Sequence, residues 1–194
     1  YLEKKTGEDL DLSLVTPYFY TVWEEMLQNM FEHNEELNKL VPKPYWQIEG
    51  SKKPKYTRQI PDILVKHKGS LIILDAKYYS IRSGNLSKFP GWESVVKQLY
   101  YNLSLKNEHY EHIKNIFIMP ESLFTIFKFI GHTGVEGKEK EFGYVQAFSI
   151  DIHFVLDSYT RNMTQMTVFN SIVDFADEKT KELNERFKII GDPT

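Results

Sequence analysis

Two short apolar runs around a glycine turn constrain this chain more than any other feature. Asp62-Ile63-Leu64-Val65 and Leu71-Ile72-Ile73-Leu74-Asp75-Ala76-Lys77-Tyr78 flank Lys66-His67-Lys68-Gly69-Ser70. Run, turn and run with a glycine in the connection reads as a β-hairpin. The second run is apolar at consecutive positions, as in a central strand covered on both faces. Such a strand needs helices on either side, and the rest of the chain supplies them. After Thr16-Pro17, a cap followed by a first-turn proline, Phe19, Val22, Trp23, Met26, Leu27, Met30 and Phe31 recur at helical spacing. This predicts a helix over 17–38, stopped by Val41-Pro42-Lys43-Pro44. Trp92, Val95, Val96, Leu99 and Leu103 mark a second helix after a glycine-containing loop over 80–91. Residues 115–120 read as a buried strand, 121–130 as a helix and 144–150 as a strand. Residues 131–143 form a polar connection with four glycines, read as a flexible lid or a surface excursion. A last helix covers 167–187, and the first 15 or so residues read as frayed. The order predicts an α/β fold, a mixed central sheet flanked by helices on both faces. At 194 residues the chain fits a single domain, 1–194.

Composition removes several classes of function. With 41% hydrophobic and 26% charged residues the chain is globular. No apolar stretch approaches the ~20 residues of a bilayer span, so no membrane association is expected. No basic-then-apolar leader opens the sequence, which points to the cytoplasm, although a start at Tyr1 fits a fragment of a longer chain. Without cysteine there is no disulfide, thiol nucleophile or zinc ribbon. The six histidines show no His-Glu-x-x-His spacing, and there is no phosphate loop or nucleophile elbow. Aromatic residues, 14% of the chain, sit mostly at helical or strand spacing and read as core.

Chemistry concentrates on the hairpin. If Lys66 pairs with Leu71, Asp62 lies opposite Asp75, and a one-residue slip still leaves it beside Ala76. Opposed Cβ atoms are ~4.5–5.5 Å apart. Asp75 and Lys77 are two apart on one strand and share a face, while Ala76 points to the other. Two carboxylates side by side at the edge of an apolar sheet need a cation between them. Lys77 supplies part of that charge. A hard divalent cation supplies more, since Mg²⁺ takes one or two carboxylates together with water and phosphate oxygens. The competing reading is a structural Asp–Lys ion pair at a strand end.

Ile60-Pro61-Asp62 and, after twelve intervening residues, Asp75-Ala76-Lys77 resemble the signature of the PD-(D/E)XK nuclease superfamily. The flanking Pro-Asp-Ile-Leu-Val and Ile-Ile-Leu-Asp-Ala-Lys-Tyr-Tyr, the helix with Gln98, and Ile-Phe-Ile-Met-Pro resemble the nuclease subunits of McrC and LlaJI-type restriction systems. The likeness covers roughly residues 22–120. It implies a restriction-endonuclease-like core and Mg²⁺-dependent cleavage of double-stranded DNA, with Mn²⁺ as a substitute metal. On that resemblance Asp62, Asp75 and the Ala76 carbonyl are the metal ligands and Lys77 the catalytic lysine. The superfamily also places a glutamate on the first helix. Relative to the centre of the apolar stripe, Glu24 falls about 100° and Glu25 about 160° away at ~100° per residue. Glu24 is therefore preferred, against the reading of a solvated helix glutamate. Relatives of the McrC kind carry Gln-x-x-x-Tyr on the following helix. Here Gln98 is matched, but Asn102 holds the tyrosine position, and Tyr101, on the same face as Gln98, is the substitute for reaching the metal site or the DNA backbone. An exposed polar ridge is the alternative.

Charge is uneven. Residues 51–90 hold nine positive side chains against Asp62 and Asp75, a local +7 that leaves −10 on the remainder of a chain of net charge −3. Lys52, Lys53, Lys55, Arg58, Lys66, Lys68 and Arg82 are the candidate phosphate contacts, with a solvated lysine-rich loop as the other reading. Backbone contacts position DNA without reading its sequence. Specificity is accordingly expected from a separate domain or an NTPase partner subunit, with a homodimer as a further possibility. The rival functions are a catalytically silent nucleic-acid-binding or assembly module that keeps the nuclease fold, and an α/β domain with an accidental motif.

Overall fold

A computed structural model of the chain describes residues 18–57, 59–79, 87, 89–106, 110 and 112–190, without the side chains of 186–190. Its elements in chain order are α1 (Phe19–Met30), β1 (Tyr45–Trp46), β2 (Lys55–Tyr56), β3 (Ile63–His67), β4 (Ser70–Ala76), α2 (Trp92–Leu105), β5 (Ile113–Glu121), β6 (Phe127–Thr133), α3 (Glu139–Phe142), β7 (Val145–Asp151), α4 (Ile152–Thr160) and α5 (Met166–Ile190). Five strands form one mixed sheet in the order β3-β4-β5-β7-β6. The β4–β5 and β5–β7 pairs are parallel, and the two outer pairs are antiparallel. The chain is α/β with helices on both sheet faces, compatible with a restriction-endonuclease-like core.

Alternation along the strands decides the layers. Ile63, Val65, Ile72, Leu74, Ile116, Ile118, Phe148 and Ile150 face α1, α4 and α5, where Trp23, Met26, Leu27, Val155, Phe169, Ile172 and Val173 complete the larger core. The opposite face carries Leu64, Leu71 and Ile73 under Tyr101 and Leu105, and Phe117, Met119, Val145 and Ala147 under Val95 and Leu99, so α2 covers it. β4 is buried on both faces, as its unbroken apolar run predicts. No described helix is long and apolar enough to cross a membrane.

Four local expectations give way to tertiary contacts. The first helix, expected to run to residue 38, stops at Met30, and Glu32 turns into the left-handed region at φ 52°. His33 Nδ1 accepts the Leu64 N–H at 2.9 Å, and Asn34 N–H donates to the Leu64 carbonyl at 3.0 Å. The edge of β3 thus claims this segment, and a 3₁₀ helix over Glu35–Leu40 follows with Asn34 as its cap. Residues 127–133, half assigned to a helix and half to a lid, are instead the edge strand β6. Phe127 and Phe129 pack on one face against Phe148, with ring centroids 6.2 and 5.2 Å away. Their spacing of two is the strand period. The rest of the supposed lid includes the single turn α3. Helix α4, which the sequence reading does not contain, begins directly at the end of β7, where Asp151 accepts the Phe154 N–H at 3.0 Å. Finally, the aromatic residues are not all core. Tyr45, Trp46, Tyr56 and Trp92 are exposed. On α2 the buried face is Val95, Gln98, Leu99, Tyr101 and Leu105, and Trp92, Val96 and Leu103 look outward. The Thr16-Pro17 cap and most of the loop over 80–91 lie outside the described residues.

Candidate active site

The hairpin forms in the register Lys66↔Leu71 to Ile63↔Leu74. Continued by one pair, that register sets Asp62 against Asp75 at the end of the strands. The two are tied together by backbone as well, since Ala76 N–H donates to Asp62 Oδ2 at 2.9 Å. Asp75 is fully buried. On the face covered by α2, its Oδ1 accepts from Gln98 Nε2 at 3.0 Å and from Lys97 Nζ at 3.1 Å. Its Oδ2 forms an ion pair with Lys77 Nζ. Lys97 Nζ also lies 3.9 Å from Asp62 Oδ1, so one ammonium spans both carboxylates.

Sequence reading missed Lys97. It precedes Gln98 on α2 and belongs to neither the apolar stripe nor the motif. The only signal for it was an i, i+4 relation to Tyr101, over whose ring its ammonium sits at 5.9 Å from the centroid.

The electrostatics follow from the crowding. Burial, then the charge of Asp75, pushes the Asp62 carboxyl up to about 7, against the pull of Lys97. For Lys97, burial opposes the ammonium, but the charges of Asp75 and Asp62 outweigh it and raise its pKa. Burial, aided by the neighbouring carboxylates, pushes the Tyr101 phenol up to about 12, so it stays protonated.

The donor set suits a hard divalent cation. Gln98 Oε1 is a buried oxygen with no hydrogen-bond partner among the described residues, and the buried Asp75 Oδ2 is met by the Lys77 ammonium. A doubly charged ion beside Asp62 and Asp75 would favour the charged form of Asp62 that burial and the charge of Asp75 oppose. The expected trio of carboxylates is not assembled, however. Among the described residues no three His, Asp or Glu side chains cluster tightly enough to hold a metal by themselves. Glu24 is near, because Gln28 Nε2 donates both to its Oε1 at 3.3 Å and to the Asp62 carbonyl at 2.8 Å. That bridge holds Glu24 at the margin. Glu25 turns to α4, where it accepts from the Tyr159 hydroxyl at 3.0 Å.

The expected DNA contacts divide. Tyr101 is fully buried beneath Lys97, with Leu64, Leu71, Ile73 and Leu105, and forms part of the core rather than a backbone-contacting surface. Its substitute role for the tyrosine of the motif is therefore restricted to the interior side of the site. Lys66 and Lys68 lie toward the far end of the hairpin, about 13 and about 20 Å from Asp62 at ~3.3 Å per residue. Lys66 sits over the Tyr110 ring, and Lys68 pairs with Asp174 at 2.9 Å. They are not beside the carboxylates. Lys52, Lys53 and Lys55 are exposed on or near the small β1–β2 ribbon. Arg58 and Arg82 lie outside the described residues.

Comparison with known proteins shows the family of the chain. Residues 3–157 match the family model of the LlaJI restriction endonuclease. The chain is also 34% identical over 164 residues to the type II restriction enzyme BsuMI component YdjA of Bacillus subtilis (strain 168). That alignment covers 78% of this chain and 34% of the relative, so the chain spans about a third of the relative's length. With most of its length matched, including the hairpin, the two carboxylates and α2, the chain belongs to the LlaJI restriction endonuclease family.

Proposed function

We propose that this chain is a PD-(D/E)XK nuclease that hydrolyses phosphodiester bonds of double-stranded DNA in the cytoplasm, using Mg²⁺ with Mn²⁺ as a substitute. The observation that carries the reading is Asp62 facing Asp75 across the hairpin, with Lys77 paired to Asp75. Asp62 and Asp75 would hold the cation, with the Ala76 carbonyl as an extra ligand and Glu24 acting from the margin. When bound, that cation polarises the scissile phosphate and lowers the pKa of its water. Lys77, fixed on the face of Asp75, orients the attacking water and stabilises charge growing on the phosphate oxygens. Gln98 steers Asp75 through its amide, and Lys97 keeps the carboxylates together in the metal-free protein. Lys52, Lys53 and Lys55 contact phosphates. A separate specificity domain or NTPase subunit, and a second copy of the chain, are the partners this reading calls for.

A silent DNA-binding or assembly module is the second reading, favoured by one observation: Lys97 already stands between the carboxylates. Nicking of supercoiled plasmid with Mg²⁺ separates the two. The nuclease reading expects cleavage by the native protein together with its partner subunits. Asp75→Ala and Lys77→Ala should each lower the rate at least about 10²-fold, comparable with loss of a general acid–base or electrostatic group, while DNA affinity stays within a few-fold. Cleavage at the native rate in both variants would overturn the assignment of this strand.

A further inference from the structure

Strands β1 and β2 stand outside the main sheet as a separate two-stranded ribbon, with Tyr45 opposite Tyr56 and Trp46 opposite Lys55. Backbone hydrogen bonds tie the ribbon together. Thr57 N–H donates to the Pro44 carbonyl at 2.8 Å, Ser51 N–H to the Ile48 carbonyl at 2.9 Å, and Gly50 takes the left-handed turn at φ 78°. Its side chains are another matter. Trp46 is 70% exposed, Tyr45 63% and Tyr56 64%, three exposed rings on one short ribbon; Trp92 and Phe124 are also exposed, but neither has neighbouring rings and lysines of this density in sequence. Lys43, Lys52, Lys53 and Lys55 surround these rings against a single acid, Glu49. None of the four lysines forms an ion pair among the described residues.

Exposed rings interleaved with unpaired cations match the chemistry of a nucleic acid. Lysines neutralise phosphates, and aromatic faces or wedges meet the bases. A two-stranded ribbon is also of a size that the major groove admits. Alternation separates the ribbon's faces: Tyr45 and Tyr56 approach each other at 6.0 Å between centroids, and Trp46 lies on the other face beside Lys55. The tether is short. Six residues from Tyr56 to Asp62 span at most about 20 Å at ~3.3–3.6 Å each, or about six base pairs at ~3.4 Å per step.

We propose that the ribbon enters a groove of duplex DNA within about six base pairs of the Asp62–Asp75 site, Trp46 contacting bases while the lysines hold the flanking phosphates. The location of that contact beside a cleaved bond rests on the nuclease reading; the contact itself does not. It gives this chain a means of favouring some sequences or some deformable base steps over others, in addition to any partner's specificity.

The test is duplex binding in Ca²⁺, where cleavage does not enter, with native protein, Trp46→Ala and Trp46→Phe. Circular dichroism checks that the exposed substitutions leave the fold intact. Trp46→Ala should weaken binding about tenfold or more, as for loss of a base-stacking ring, with the salt dependence unchanged because no phosphate contact is lost. Trp46→Phe should retain most of the affinity. A 2-aminopurine placed in the duplex should change its fluorescence with native protein and not with Trp46→Ala. Native affinity in Trp46→Ala overturns the proposal, as does failure of the native protein to bind duplex. Weakened binding to a partner subunit alone, with DNA binding intact, overturns it in favour of a protein contact. If Trp46 behaves as expected and Mg²⁺ still gives no cleavage, the nuclease reading falls and the ribbon's contact stands.

Discussion

Asp75 is held by three side chains, Lys97 and Gln98 on α2 and Lys77 just past β4, and each partner limits what the others can do. Gln98 and Lys97 share Oδ1, and Lys77 takes Oδ2. Removing the central ammonium exposes how much of the local order it carries. Lys97→Met keeps the methylene stem and its packing on Tyr101 but leaves Asp62 and Asp75 facing each other. Breaking a buried pair costs about 3–5 kcal/mol, and partial exposure of Lys97 reduces that to about 1–3. The metal-free protein should therefore melt at a lower temperature, and added Mg²⁺ should raise the melting temperature more in the variant than in the native protein. A scanning-fluorimetry titration measures both, and equal Mg²⁺ shifts would mean that the cation does not compete for these carboxylates. At this scale the sequence was readable where chemistry depended on strand alternation. The register that opposes Asp62 to Asp75 follows from one turn and a period of two. Lys97 was not readable, because its role depends on which face of α2 meets the sheet, and Trp92, Val96 and Leu103 suggested a stripe that the fold leaves in solvent.

The segment after α1 shows how one element edits another. Helix periodicity runs through Phe31, yet His33 and Asn34 are captured by the backbone of Leu64 in β3. Two long-range hydrogen bonds outweigh the modest gain of extending a helix end. His33 Nδ1 must be an unprotonated acceptor, and its Nε2 stands 3.4 Å from the Asn38 amide. Asn38 Oδ1 has no partner among the described residues as oriented, and rotating the amide would let it accept from Nε2–H. Burial lowers the His33 pKa, with Glu35 opposing. A histidine held neutral in the folded state contributes stability that is complete above its unfolded pKa, ~6.5, and is lost as pH falls through that value. Urea midpoints between pH 7.5 and 5 should drop less steeply in His33→Gln than in native protein, with His67, also lowered by burial, accounting for part of the residual slope. Identical slopes would remove His33 from the acid response. Strand β6 and helix α4 were hidden for a related reason. Residues 121–130 read as a helix until the partner Phe148 selects the strand period of Phe127 and Phe129, and α4 starts without a turn residue between it and β7.

For the whole molecule the relevant quantity is where its charge lies relative to the carboxylates. Among the described residues, the lysines of the +7 segment do not form one continuous surface. Its hairpin-loop lysines sit at the far end of β3 and β4, with Lys68 engaged by Asp174, whereas Lys52, Lys53 and Lys55 cluster on the ribbon close in chain to Asp62. On the proposed reading, a duplex lying across the candidate site meets the second group and misses the first. Substituting Lys52, Lys53 and Lys55 with Gln should weaken binding to all duplexes alike and flatten the slope of log K against log salt by about 0.9 per lost phosphate contact, or about 2–3 in all. Lys66 and Lys68 replaced by Gln should leave that slope unchanged. The comparison is internal to one protein, so differences in folding or preparation cancel, and circular dichroism checks each variant. The expected pattern is a loss confined to the ribbon lysines, with Mg²⁺-dependent cleavage retained at saturating DNA because none of them touches Asp62, Asp75 or Lys77. An unchanged slope in the triple variant would make the ribbon's charge a solvated surface. A slope lost equally in both variants would mean that DNA follows the length of the hairpin rather than crossing its carboxylate end.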